Sequence, residues 1–126
     1  MTKAEAYEKA WRLGYKGDFS LVDQIYHPEY STFEDTTGIT ANLDDDKTVV
    51  LSLNSSVIIG PYKCVSESGD LLNIQAYSMF KEAEIFRSFT TYATYREGKI
   101  ITQKIVSEEL DYDPSEGQDW NWEDCE

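Results

Sequence analysis

The sequence predicts an α+β domain in which N-terminal helices pack on one face of a curved, mixed but mostly antiparallel sheet. Three stretches carry this. Residues 85–109 read as two arms rich in β-branched and aromatic residues, I-F-R-S-F-T-T-Y-A-T-Y-R and K-I-I-T-Q-K-I-V-S-E-E, joined by Glu97-Gly98. Glycine there supplies the positive φ that a two-residue hairpin turn needs. Residues 62–67 and 71–80 flank Ser68-Gly69-Asp70 and form a second hairpin in the same way. Near the N-terminus, Tyr7, Ala10, Trp11 and Gly14 recur at i, i+3, i+4 and i+7, the stripe of a helix that buries one side.

The elements follow in order. Thr2-Lys3-Ala4-Glu5 is a capping box that starts the first helix, and Gly17 stops it in the left-handed conformation. Asp18 caps a short second helix with Leu21, Val22, Ile25 and Tyr26 on its buried side, and His27-Pro28 ends it. Residues 30–35 form a first strand, followed by a Thr-Thr-Gly loop. Asp44-Asp45-Asp46 places negative charge where a helix begins. The run 47–59 is read as helix from the spacing of Val49, Leu53 and Val57, although its β-branched content also suits a strand. Beyond residue 110, D-Y-D-P-S-E-G-Q-D-W-N-W-E-D-C-E carries seven acids and no base, and reads as an acidic, mostly irregular tail separate from the domain of residues 1–110. Its faint echo of a calcium loop has the glycine one place late and Trp122 where a glutamate belongs, so no metal is expected. Trp120 and Trp122 are expected to dock on the body or across a dimer, because exposed indoles are costly.

The 126 residues make one domain, and a 40% apolar, 13% aromatic composition is enough for a core. A net charge of −13 and a pI near 4.3 repel phosphate backbones, arguing against nucleic acid or an anionic membrane surface as partner. No apolar run approaches the roughly 20 residues of a membrane span, and the chain enters an amphipathic helix at Lys3 without a signal core. A cytoplasmic location is the expectation. Cys64 and Cys125 are read as independent thiols.

Three segments together resemble a known superfamily. They are Gly17-Asp18 between helices, Ile25-Tyr26-His27-Pro28-Glu29-Tyr30 leading into a strand, and Ala93–Ile100 around the hairpin turn. This pattern is similar to the nuclear transport factor two-like proteins, nearest their SnoaL-like and ketosteroid-isomerase-like branch, over roughly residues 3–109. The resemblance implies a cone of helices wrapped by the sheet, an internal pocket for a small apolar ligand, no cofactor, and a homodimer through the outer sheet face. It also implies a general-base aspartate after the first strand, a position that Asp35 occupies. The two oxyanion donors of the steroid isomerases would fall at Ala10 and Thr91, and the cyclase aspartate near Ile105, so those groups are lost.

Asp35 is therefore the leading catalytic candidate, as a carboxylate at a pocket wall; its other reading is an Asx turn with Thr36-Thr37-Gly38. Lys104, with Arg87 and Glu108, falls on the inner face of the hairpin if the pairing of Tyr95 with Ile100 continues unbroken to Thr91 with Lys104 and Arg87 with Glu108. Lys104 then stabilises a developing enolate, whereas one bulge sends it outward. Trp11, Tyr15, Tyr30, Phe33, Phe89, Thr91 and Tyr95 are the expected pocket lining. His27, the single histidine, is read as a structural element at a helix end. Two functions remain open: a cofactor-free isomerase or lyase, and a non-catalytic ligand-binding or dimerisation module.

Overall fold

A computed structural model describes residues 1–34 and 37–126, with the Glu34 side chain left out of account. Among these residues the helices are Lys3–Gly14 (α1), Ser20–Ile25 (α2) and Leu43–Leu53 (α3). The strands are Tyr26–Glu34 (β1), Ile39–Ala41 (β2), Val57–Ile59 (β3), Lys63–Glu67 (β4), Leu71–Phe80 (β5), Ile85–Arg96 (β6) and Lys99–Leu110 (β7), and a 3₁₀ turn closes the chain at Glu123–Cys125. The strands form one sheet in the order β2-β1-β7-β6-β5-β3, with β4 and β3 sharing one edge of β5 end to end. β1 and β7 run parallel and the other pairs antiparallel.

Local chemistry sets α1 as expected. The Thr2 hydroxyl accepts the Glu5 N–H at 3.1 Å while the Glu5 carboxylate accepts the Thr2 N–H at 3.0 Å. Tyr7, Ala10, Trp11 and Gly14 are its buried residues, and Gly17 follows at φ +93°. Arg12 pins the helix to the sheet edge by donating to the carbonyls of Ile59 (2.6 Å) and Gly60 (2.7 Å). On the inner face, Leu72, Ile74, Ala93 and Ile100 are fully buried against Ala10 and Val22. Each large apolar side chain so buried contributes about 1.5–3 kcal/mol.

Several boundaries differ from expectation. Asp18 accepts from the Ser20 N–H and hydroxyl, but Phe19 holds the position before α2. Tyr26 is already extended, so β1 starts before His27-Pro28. The short strand β2 follows the Thr-Thr-Gly loop, over residues to which no strand was assigned. The run 47–59 is not one helix: α3 ends at Leu53, and Val57, Ile58 and Ile59 pair with Phe80, Met79 and Ser78. Three β-branched residues in a row bury both sides in a sheet, whereas one helix face would have exposed Ile58; tertiary pairing overrode the helical spacing.

The turn of the long hairpin has Glu97 at φ +55° and Gly98 at +79°, the two left-handed residues that a primed turn needs. Its register departs from the simple alternation. Tyr95 faces Ile100 as expected, but the next pair is Thr94 with Thr102, which leaves Ile101 as an extra residue on β7. From there Ala93 faces Gln103, Thr91 faces Ile105 and Arg87 faces Glu109. Arg87 rests 5.9 Å from the centre of the Phe80 ring, and Glu108 is opposite Ser88.

The acidic tail is irregular but docked on its own body. Trp122 stacks on Phe86 at 6.1 Å and 27°, and its indole N–H donates to Asp113 at 2.9 Å. Trp120 lies so close to Gly60 that a Cβ there would come within 3.0 Å of the indole ring. Lys81 and Glu126 form an ion pair at 3.2 Å.

Candidate functional site

Between α1, α3, β2 and the inner face of β1, β6 and β7 lies a cavity of about 350 Å³. Its volume is in the range of small-molecule sites. The wall is mostly apolar: Trp11, Tyr15, Tyr62 and Phe89 on one side, Val49, Val50, Ile39 and Ala41 on the other. Ile39 and Val49 are more than half exposed and mark the mouth. The polar groups on the wall include Tyr7, Thr32, Asp46, Thr91 and Gln103.

Asp46 is the one charged residue among the described lining residues. It sits in the first turns of α3, a helix anchored by a capping box in which Asn42 accepts the Asp45 N–H at 2.9 Å and Asp45 accepts the Asn42 N–H at 3.1 Å. The Tyr30 hydroxyl donates to Asp46 Oδ2 at 2.8 Å. Loss of water around the carboxylate raises its pKa to about 6, against a smaller lowering by the Tyr30 hydrogen bond. Beside it stands a buried polar network. The Trp11 indole donates to the Tyr26 hydroxyl (3.0 Å), which donates to Gln103 Oε1 (2.7 Å), while the Thr32 hydroxyl donates to the Gln103 carbonyl (3.1 Å). With its oxygen held by Tyr26, the Gln103 carboxamide has its NH₂ end as the donor. The Tyr7 hydroxyl interacts with Thr91 and Tyr26, and burial pushes its pKa up, so it stays a protonated donor.

Of the expected lining, Trp11, Tyr15, Phe89 and Thr91 are in the wall. Tyr30 is buried behind it, reaching the cavity through Asp46. Phe33 and Lys104 are corrections. They pair with each other across β1 and β7, Lys104 also faces Tyr92, and all three side chains are exposed on the outer face. For Lys104 the extra residue on β7 is the cause: it exchanges the two faces of that strand, bringing in Gln103 and Ile105 and turning Lys104 out, whereas Phe33 faces outward because it alternates with the inward Thr32 on β1. Tyr95 is also away from the cavity, under the Lys3 ammonium at 5.1 Å, with its pKa raised by burial to about 12. Asp35 lies outside the described residues. His27 Nδ1 accepts the Glu29 N–H at 3.0 Å, a local structural bond.

Sequence reasoning missed Asp46 as a site candidate, along with Tyr7 and Gln103. The three adjacent acids read as helix-start charge, yet Asp46 precedes Val49 and Val50 by three and four positions, which puts it on the face that α3 turns inward. A larger cleft of about 520 Å³ separates α1, β3 and the tail, and four of its charges are paired, Arg12 with Glu8 and Lys81 with Glu126. It is the seam where the tail meets the body.

The helices on one face of a mixed sheet, with a hollow between them, make this the nuclear transport factor two-like fold. No protein-family model matches the sequence, and no curated protein matches it. Solved structures do match. Wild-type IdmH from Streptomyces antibioticus, a candidate polyketide cyclase, is 12% identical with a TM-score of 0.65, over 82% of this chain and 90% of that one. An NTF-2 like protein of unknown function from Burkholderia xenovorans LB400 is 14% identical with a TM-score of 0.63, over 87% and 85%. A protein of ketosteroid-isomerase-like fold from Catenulispora acidiphila DSM 44928, in complex with trimethylamine, is 16% identical with a TM-score of 0.60, over 96% and 99%. At such identities the likeness establishes the fold. No helix among the described residues is long and apolar enough to cross a membrane.

Proposed function

We propose that the cavity holds a small, largely apolar molecule and that the protein transfers a proton on it without a cofactor, as an isomerase or lyase, with Asp46 as general base. One observation carries this reading: among the described lining residues one carboxylate, Asp46, stands in a mostly apolar wall, where loss of water raises its pKa to about 6. A base so tuned is ionised at neutral pH and still basic enough to take a proton from carbon. Tyr7 and the Gln103 amide are the donors for the oxygen on which negative charge develops, in place of the two lost from the steroid-isomerase pattern. The likeness to a candidate polyketide cyclase supports a pocket used for chemistry. Asp35 remains the alternative base that the sequence pattern favours.

The test is exchange of the α-protons of small cyclic ketones, with and without an amino substituent, for solvent deuterium in D₂O, followed by proton NMR. Acceleration by the protein is expected, with a rate that rises as pH increases through about 6. A panel showing no acceleration at any pH would leave the protein as a binding module.

We also propose a homodimer through the outer sheet face. Phe33 and Tyr92 are each 41% exposed and Val106 37%, on neighbouring strands of that face. Apolar exposure of this kind marks an interaction surface. Tyr92→Glu is expected to shift sedimentation from dimer to monomer; a wild-type protein that sediments as a monomer at all concentrations would refute the dimer.

A further inference from the structure

The cavity combines features that a neutral apolar ligand does not need. Among the described lining residues Asp46 is the single charge, and none is a cation. Five aromatic side chains line it, Tyr7, Trp11, Tyr15, Tyr62 and Phe89. Tyr62 crosses Tyr7 at 69° and Phe89 at 82°, so the rings present π surface in more than one direction. Arg12 packs 5.6 Å from the Tyr62 ring centre, but it lines the neighbouring cleft and is bound to Glu8 and to the carbonyls of Ile59 and Gly60. The molecule as a whole carries −13, which concentrates cations at its surface.

Resting on the pocket reading above, we infer that the ligand class of this cavity is a small organic cation: an apolar body bearing one ammonium group, seated between the Asp46 carboxylate and the aromatic wall. An aromatic ring attracts an ammonium through its quadrupole, most strongly where water is excluded, and a carboxylate adds direct charge pairing. A neutral molecule of the same shape gains burial alone. Among the described residues the other groups acting on Asp46 are Tyr30 and Tyr26 on β1, Tyr7 on α1 and Asp45 on its own helix, none of which supplies a positive charge. Binding should therefore strengthen as pH rises and Asp46 ionises. On a substrate, the same ammonium would acidify the adjacent C–H from which Asp46 takes its proton.

The experiment compares choline with 3,3-dimethylbutan-1-ol, its neutral isostere, by NMR titration on the Trp11 indole N–H. Choline is expected to bind roughly tenfold or more tightly than the alcohol, with the preference weakening from pH 7.5 to pH 5. Asp46→Asn, which keeps an acceptor for Tyr30, should remove most of the preference, and Phe89→Leu should reduce it. Equal binding of the two probes overturns the cation assignment while leaving the pocket reading intact. Shifts with neither probe overturn both.

Discussion

Asp46→Asn is expected to abolish the catalysed exchange, by roughly 10²–10⁴-fold, and at the same time to make the fold more stable above pH 6. Both effects come from one carboxylate. Its pKa is 3.8 in the ordinary case and about 6 in the folded protein, raised by loss of water. Between those values the folded state binds more protons than the unfolded state, so stability falls as pH rises through the window, and the deficit persists above it. For a fully buried group this interval would amount to roughly 3 kcal/mol. Asp46 keeps partial contact with solvent and sits near the start of α3, both of which favour the charge, so about 1–2 kcal/mol is expected. Asparagine has no charge to desolvate and can still accept from Tyr30. Urea midpoints should therefore lie higher for the variant at pH 8, with the gap shrinking steadily from pH 6 to pH 4. Asp35→Asn is the companion measurement. Loss of exchange in Asp35→Asn with retention in Asp46→Asn would transfer the base to Asp35.

Trp11→Ala should cost about 3–5 kcal/mol, the range for a large aromatic lost from a core. Trp11 is 6% exposed and meets Phe19 and Tyr26 edge to face, at 6.5 and 5.9 Å. Its indole N–H also starts the chain through Tyr26 to Gln103. Alanine would merge a new void with the cavity and remove a donor from a buried hydroxyl at once. Trp11→Phe separates the two, since a ring remains and the donor goes; about 1–2 kcal/mol is expected for that variant. Urea unfolding with unchanged slope reads both. A Trp11→Ala cost below about 1 kcal/mol would mean that the indole does not hold α1 to the sheet.

What could be read before the structure had local causes. The capping box of Thr2 and Glu5, the stripe from Tyr7 to Gly14 and the Glu97-Gly98 turn are each set by residues within a few positions of one another, so a short window contains the whole explanation. Val57-Ile58-Ile59 was harder, because a pattern compatible with a helix was decided by a partner strand some twenty residues on. Asp46 was legible in principle from its spacing to Val49 and Val50, but the adjacent acids supplied a sufficient reason for its charge. Trp11, Tyr15 and Phe89 could be picked from aromatic content on the right elements; Lys104 was turned out by the extra residue on β7, and Phe33 by its alternation with Thr32 on β1.

The amino-acid sequence alone determined the α+β class, the first helix and its buried side, both hairpins, and a net charge that disfavours polyanionic partners. Tertiary structure decided which side chains share the cavity. A strand has a period of two, so the single extra residue at Ile101 inverts everything beyond it, and nothing within β7 itself marks where that residue must fall. The same is true of Asp46: its acidity depends on the water excluded by α1 and β1, elements remote from it in the chain.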